Sequence, residues 1–427
     1  MNCKKIFSII VALALAQLCV PTNAGNALRP DSTSTGPVEA NADTTARPLT
    51  PVERFLDSPA IDPDYTTLLI TDLATGKVLA SHMPDKGMTP ASALKAVTVA
   101  TLFNQCDMDD VFETPVYREG PVRDGVLEGN IIVKGSGDPT INAGCAPESQ
   151  NIVTEIVDAL KHEGITAVNG RIVVDNTLFT GPSQPESWGS NRNTWYGTGS
   201  HAFNFRRNRN GSNSVKDPGA VFTNALRKAM KDAGIEYVGE ELEVSSPRRQ
   251  LLVHRSAPMD EIMRSCMMRS DNLFAECLLR YMASRNGRDG STRKGADMVK
   301  EYWRKKGIMR DNIEIADGSG LSRGNVVSAR FLTDVLAKMK DEPYYASFFP
   351  LAGEEGTLKR FLKGTPLQAY MALKTGSMNG TQTYAGYKLD DNYEPTHTVV
   401  VLINKLPLSR EGARKATEKL LLEIFNR

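Results

Sequence analysis

The tightest constraint on the fold is the texture of the two ends of the chain. HTVVVLINKL (397–406) is a strong strand, and SREGARKATEKLLLEIF (409–425) follows it with apolar residues at helical spacing. Near the start, YTTLLITDLATGKVLASHM (65–83) reads as two strands joined by a turn at 74–76. Before it, in TPVERF, Thr50 can cap a helix, Pro51 suits the first helical position and Glu53 completes a capping box. Strands near both ends plus a terminal helix imply that the first and last thirds build one α/β domain around a large insertion. No internal repeat is visible, and 427 residues suffice for two or three domains.

The middle of the chain has a different texture. A helix is expected from about Ala91 to Asn104, and the change comes near Val111. VLEGNIIVKGSGDPTI and VNGRIVVDNTLFTG are short strands punctuated by glycine and Asp-Pro, with a helical piece, NIVTEIVDALKHEG, between them. Residues 181–213 are polar, glycine-rich and dotted with aromatics. Their basic run RRNRNGSNS reads as a solvated loop in preference to a face for an anionic substrate. Helical spacing returns in AVFTNALRKAMKDAG, and DEIMRSCMMRSDNLFAECLLRYMAS (260–284) reads as one or two buried helices. These breaks place a first part of the main domain at 50–104, a β-rich insertion at 105–255 and the second part at 256–427.

Lys4 and Lys5, the apolar run from Ile6 to Val20 and small residues around Ala24 have the order of a secretory signal peptide, here residues 1–24. The run is short for a membrane span and lacks a stop-transfer flank, so no strong membrane anchor is expected. Cys19 invites a lipoprotein reading, but Gln17 and Leu18 make a poor lipobox. Residues 25–49, rich in Ser, Thr, Pro, Asn and Ala, read as a flexible leader. Without residues 1–24, 49 basic side chains stand against 50 acidic ones, a balance that argues against nucleic-acid binding. Four cysteines then remain, an even number that permits disulfides in an oxidising compartment. Cys266 and Cys277 would sit about 16 Å apart on one straight helix, too far to bridge. The five histidines are dispersed with no HExxH, so no metal site is expected.

Three short motifs carry chemistry. In TPASALKAVT (89–98), Ser92 and Lys95 are spaced i to i+3 and share a helix face. A hydroxyl attacks only when something takes its proton, and lysine can do so only when neutral. Bringing its pKa down to about 7–8 takes roughly 3–5 kcal/mol of desolvation or cationic neighbours. The pattern alone is cheap: Ser291 and Lys294 repeat it in a glycine-rich charged stretch, and SxN is matched at Ser270, Ser284 and Ser377. Ser270-Asp271-Asn272 follows downstream, and Lys374-Thr375-Gly376-Ser377 lies on a strand, where an ammonium and hydroxyls suit a substrate carboxylate. Glycine there permits close approach of backbone and ligand. The ordered set SxxK, SDN, KTG is the signature of active-serine penicillin-interacting enzymes.

With these motifs and the blocks EGNIIVKGSGDPTI, NGRIVVDNTLF, DGSGLSRGNVVSA and GTLKRFL in order, the chain resembles the D-alanyl-D-alanine carboxypeptidase/endopeptidase family of low-molecular-mass class C penicillin-binding proteins. The resemblance implies an α+β serine β-lactamase/transpeptidase-like domain, an antiparallel sheet with flanking helices, interrupted between the first two motifs. Ser270 lies 178 positions after Ser92, short for members with two full inserted domains, and 206–214 is a candidate for the trimmed region.

The resemblance also implies roles. Ser92 is the nucleophile and Lys95 its base, and the backbone N–H groups of Ser92 and Ser377 hold the oxyanion. Ser270 relays a proton to the leaving amine, while Asn272 holds the substrate backbone and the surroundings of Lys95. Lys374 attracts the terminal carboxylate and disfavours protonation of Lys95. Thr375, Gly376 and Ser377 line the substrate strand. Peptidoglycan stem peptides are the implied substrates in the periplasm, β-lactams the covalent inhibitors, and no cofactor is involved. A β-lactamase and a catalytically silent cell-wall binding protein are the rival readings. Asp271 reads as a structural orienter, Asp138 as a turn former and Asp317 as a brace; Trp188 and Trp195 are expected to pack within the insertion.

Overall fold

The computed structural model describes residues 47–145, 150–243, 247–287, 289–342 and 344–425. The expected signal peptide, and the leader up to residue 46, lie outside the described residues. The helix Pro51–Leu56 opens as its sequence suggests: Thr50 Oγ1 accepts from Glu53 N at 3.2 Å, and the Glu53 carboxylate accepts from Thr50 N at 2.7 Å.

Strands from the two ends of the chain form one sheet. Met371–Met378, Thr381–Leu389, Pro395–Asn404, Thr66–Asp72 and Val78–His82 lie side by side in that order, every neighbour antiparallel. Alternation along each strand divides its side chains between two faces. Leu68, Ile70, Val399, Val401 and Ile403 pack with Phe55, Leu420 and Leu421 from the helices Pro51–Leu56 and Arg410–Phe425. Leu69, Val400 and Leu402 face a second core with the helices Leu94–Phe103, Met259–Arg269, Asn272–Ser284 and Ala329–Lys338. Each such branched side chain contributes about 1.5–3 kcal/mol when fully buried.

Residues between these parts build a core of their own. Arg248–Arg255, Glu113–Glu119, Asn130–Lys134 and Ile172–Asp175 form a four-stranded sheet whose last pair is parallel. Val116, Ile131 and Val133 pack there against Ile156 and Leu160 of the helix Ile152–His162 and Phe222 and Leu226 of the helix Pro218–Asp232.

The methionine- and leucine-rich stretch at 260–284 is two helices. Ser270 ends the first in the left-handed conformation, φ 56° and ψ 39°, and Asp271 caps the second by accepting from Leu273 N at 3.0 Å. Cys266 and Cys277 therefore sit on separate helices, and the single-helix spacing does not apply. Cys106, Cys145, Cys266 and Cys277 are all free thiols. Among the described residues no helix is long and apolar enough to cross a membrane.

Candidate active site

Pro90 leads into a short turn, Ala91–Ala93, that runs directly into the helix Leu94–Phe103. Every residue from Leu94 to Leu102 is buried, so this helix has no solvent face and encloses Lys95 completely. Ala91, just before Ser92, has φ 46°, a conformation that costs a residue with a Cβ about 1–2 kcal/mol. Gly320 packs on its carbonyl, where a Cβ would lie 1.9 Å from the oxygen.

Gly376 lets the KTG strand close on the serine turn. A Cβ there would meet Thr383 Oγ1 at 2.2 Å, Pro90 O at 2.7 Å and Ala93 N at 2.9 Å. Gly376 is buried and does not line the groove. What presses on it is Thr383 Oγ1 and the serine turn, while its neighbours Thr375 and Ser377 line the groove.

Lys95 Nζ lies 2.9 Å from Ser92 Oγ, 2.6 Å from Asn272 Oδ1 and 2.7 Å from the carbonyl of Ser319. An ammonium matches these three oxygens with three N–H groups. A neutral amine keeps the amide and carbonyl as acceptors for two N–H groups and offers its lone pair to the Ser92 hydroxyl, which then donates. Burial pushes the pKa of Lys95 down to about 8, although Cys266, Asp317 and Glu276 oppose the shift.

Lys374 Nζ donates to Ser270 Oγ at 2.8 Å and to Thr375 O at 2.7 Å. It too is fully buried, and burial followed by the neighbouring Lys95 drives its pKa well below the ordinary lysine value. Desolvation is the first cause for both lysines, and two neighbouring ammonium groups disfavour each other's charge.

Ser92, Ser270, Asn272, Thr375 and Ser377 line one groove of about 1000 Å³. Thr375 Oγ1 donates to Thr357 Oγ1 at 2.7 Å, and Ser377 is exposed. The same groove carries Arg269, Arg323, Lys359, Arg360, Arg410 and Arg414 against the single acid Glu411, a field that favours anionic ligands.

Several contributors carry no signal in the motifs. Glu276 Oε1 accepts from Gly318 N at 3.0 Å and Ser319 N at 2.8 Å, and so fixes the carbonyl that holds Lys95. Glu276 lies one helical turn after Asn272, the i to i+4 spacing that could have flagged it. Burial and the nearby Asp317 raise its pKa to about 8. Asp317 accepts from Gly320 N, Ser322 N, Asn325 Nδ2 and Trp188 Nε1, each within 2.6–2.8 Å. Asp138 accepts from the backbone and hydroxyl of Thr140 within its turn.

The basic run at 206–214 is solvated only in part: Arg206 and 210–213 are exposed, whereas Arg207 and Asn208 turn inward. Arg207 pairs with Asp271, and Asn208 is fully buried. Tyr196 O accepts from Asn272 Nδ2 at 2.8 Å. Trp188 is buried with its Nε1 on Asp317, outside the expected insertion, and Trp195 is 49% exposed and lines the groove beside Tyr196. Ser291, in the second SxxK, accepts from Lys294 N and caps the helix Thr292–Lys305.

A family model, the D-Ala-D-Ala carboxypeptidase 3 (S13) family, matches residues 50–209 and 198–422. The chain is 26% identical over 387 residues to D-alanyl-D-alanine carboxypeptidase DacB of Haemophilus influenzae, covering 73% of this chain and 79% of that protein. It is 24% identical over 427 residues to a D-alanyl-D-alanine carboxypeptidase of Actinomadura, covering 79% and 77%. The crystal structure of penicillin binding protein 4 from Haemophilus influenzae shares the fold, with a TM-score of 0.72 at 23% identity over 84% of this chain and 95% of that one.

Proposed function

The chain belongs to the D-Ala-D-Ala carboxypeptidase 3 (S13) family, and from that premise we propose that it is a serine-type enzyme cutting the bond between the last two D-alanines of peptidoglycan stem peptides, and D-alanyl cross-links between stems. The observation that carries the reading is the buried Lys95 amine, 2.9 Å from Ser92 Oγ, with a pKa lowered to about 8. A base must meet its proton at hydrogen-bond distance and have a pKa near the working pH, and this contact satisfies both conditions.

In the proposed mechanism Ser92 Oγ attacks the carbonyl and its proton passes to Lys95. The backbone N–H groups of Ser92 and Ser377 hold the oxyanion, a contribution of about 2.7–4 kcal/mol per preorganised donor. Ser270 relays to the departing amine the proton taken from Ser92, which returns Lys95 to its neutral form, and Asn272 holds the substrate backbone. The terminal carboxylate meets the hydroxyls of Thr375 and Ser377 within the cationic rim. Water then hydrolyses the acyl-enzyme. A β-lactam enters by the same attack and acylates Ser92.

Residues 50–104 and 256–427 form one transpeptidase-like domain on this reading, interrupted by 105–255. Support comes from the shared central sheet and from the separate core of the intervening residues. The order of charge, apolar run and small residues in 1–24 supports export to the periplasm.

Fluorescent penicillin, followed by a pentapeptide ending in D-Ala-D-Ala, tests the reading. Wild type is expected to form a lasting label and release D-alanine, and Ser92→Ala to do neither. An unlabelled wild type would remove the active-serine claim, rapid turnover of the penicillin would point to a β-lactamase, and label without D-alanine release or cross-link cleavage would leave only binding.

A further inference from the structure

Residues 206–208 hold a backbone conformation that their side chains disfavour. Arg206, Arg207 and Asn208 have φ of 51°, 56° and 52°, three successive non-glycine residues in the left-handed region, where L residues rarely stay unless their surroundings impose it. Hydrogen bonds impose it here. Asn208 N donates to Phe205 O at 3.0 Å, and Asn208 Oδ1 accepts from Phe205 N at 2.9 Å. The Asn208 amide in turn donates to Gly199 O at 2.8 Å and Asn204 Oδ1 at 2.6 Å.

The turn delivers one guanidinium to one carboxylate. Arg207 Nη2 pairs with Asp271 Oδ2, with side chains only 12% and 6% exposed. Both groups are held within the fold, away from bulk solvent. Asp271 Oδ1 meanwhile accepts from Leu273 N and Phe274 N, so both carboxylate oxygens are committed and the residue cannot rotate freely. Its neighbours hold the two buried lysines: Ser270 Oγ meets Lys374, and Asn272 Oδ1 meets Lys95. The same segment fixes the other end of the Asn272 amide through Tyr196 O.

We propose that Arg207 is a positioning residue that, through Asp271, holds Ser270 and Asn272 in register with Lys374 and Lys95, so that the segment around it completes a site assembled from the rest of the chain. This rests on the active-serine reading above. Arg207 touches neither the nucleophile nor its base, and its effect falls on the acylation step and not on capture of the ligand.

The test is the kinetics of acylation by fluorescent penicillin, with circular dichroism to confirm folding. Arg207→Ala is expected to lower the maximal acylation rate about tenfold or more while reversible binding changes less than about threefold, and Arg207→Lys to recover part of the loss. A maximal rate within about twofold of wild type, a loss confined to binding, or no recovery in Arg207→Lys would overturn the proposal. Should Arg207→Ala not fold, Arg207→Gln carries the same outcomes. An unlabelled wild type would instead remove the reading on which the proposal rests.

Discussion

At the scale of single residues the site depends on where protons rest. With Lys95 lowered to about 8 by burial, the acylation rate should rise with pH through a limb centred near 8; a limb centred near 10.5 would mean a solvated lysine. Stability follows the same group. The folded chain holds fewer protons than the unfolded one between about 8 and 10.5, so Lys95 makes stability increase with pH across that window. Glu276, raised to about 8 from 4.5, contributes stability that is present below 4.5 and lost as pH rises through 8. Glu276→Gln keeps an oxygen acceptor for the Gly318 and Ser319 N–H groups and should acylate within about threefold of wild type. Glu276→Ala leaves the buried Gly318 and Ser319 N–H groups unpaired at about 1–3 kcal/mol each and should be much slower in the same assay. Ser92, Lys95, Ser270, Asn272 and Lys374 are visible in the sequence because each lies in a short motif. Ser319, Tyr196 and Arg207 are not, because two act through backbone carbonyls and the third through a partner that folding alone brings near, while Glu276 is hinted at only by its i to i+4 spacing from Asn272.

At the scale of elements, the KTG strand and the serine turn touch so closely that only glycine fits between them. Gly376→Ala should separate them, and labelling by fluorescent penicillin is expected to fall about a hundredfold with a lower melting temperature; near-normal labelling would show that the strand can shift at little cost. The strands at 66–82 and 395–404 and the terminal helix are legible because their side-chain periods match one-sided or two-sided burial. The segment at 181–213 is not. Its polar residues look solvated until Arg207 finds Asp271, Trp188 finds Asp317 and Asn208 closes its own turn, none of which a periodicity can encode. The break between the helices Met259–Arg269 and Asn272–Ser284 is similarly hidden, since Ser270 takes a left-handed conformation that composition does not announce.

At the scale of the molecule, the cores divide the work. Leu226 is fully buried in the core of the intervening residues, away from the groove. Leu226→Ala should cost about 2.7–5 kcal/mol of stability, and the folded fraction should still label within about twofold of wild type; a selective loss of labelling would tie that core to the chemistry. The segment 186–208 is the exception, because it reaches from this region to Asp271, Asn272 and Asp317. The central claim is that Ser92 takes the acyl group. Tandem mass spectrometry of the protein after brief exposure to benzylpenicillin tests it most directly. A single penicilloyl adduct on the peptide containing Ser92, absent in Ser92→Ala, is the result the account predicts, and an adduct on another residue, or one that persists in Ser92→Ala, would contradict it.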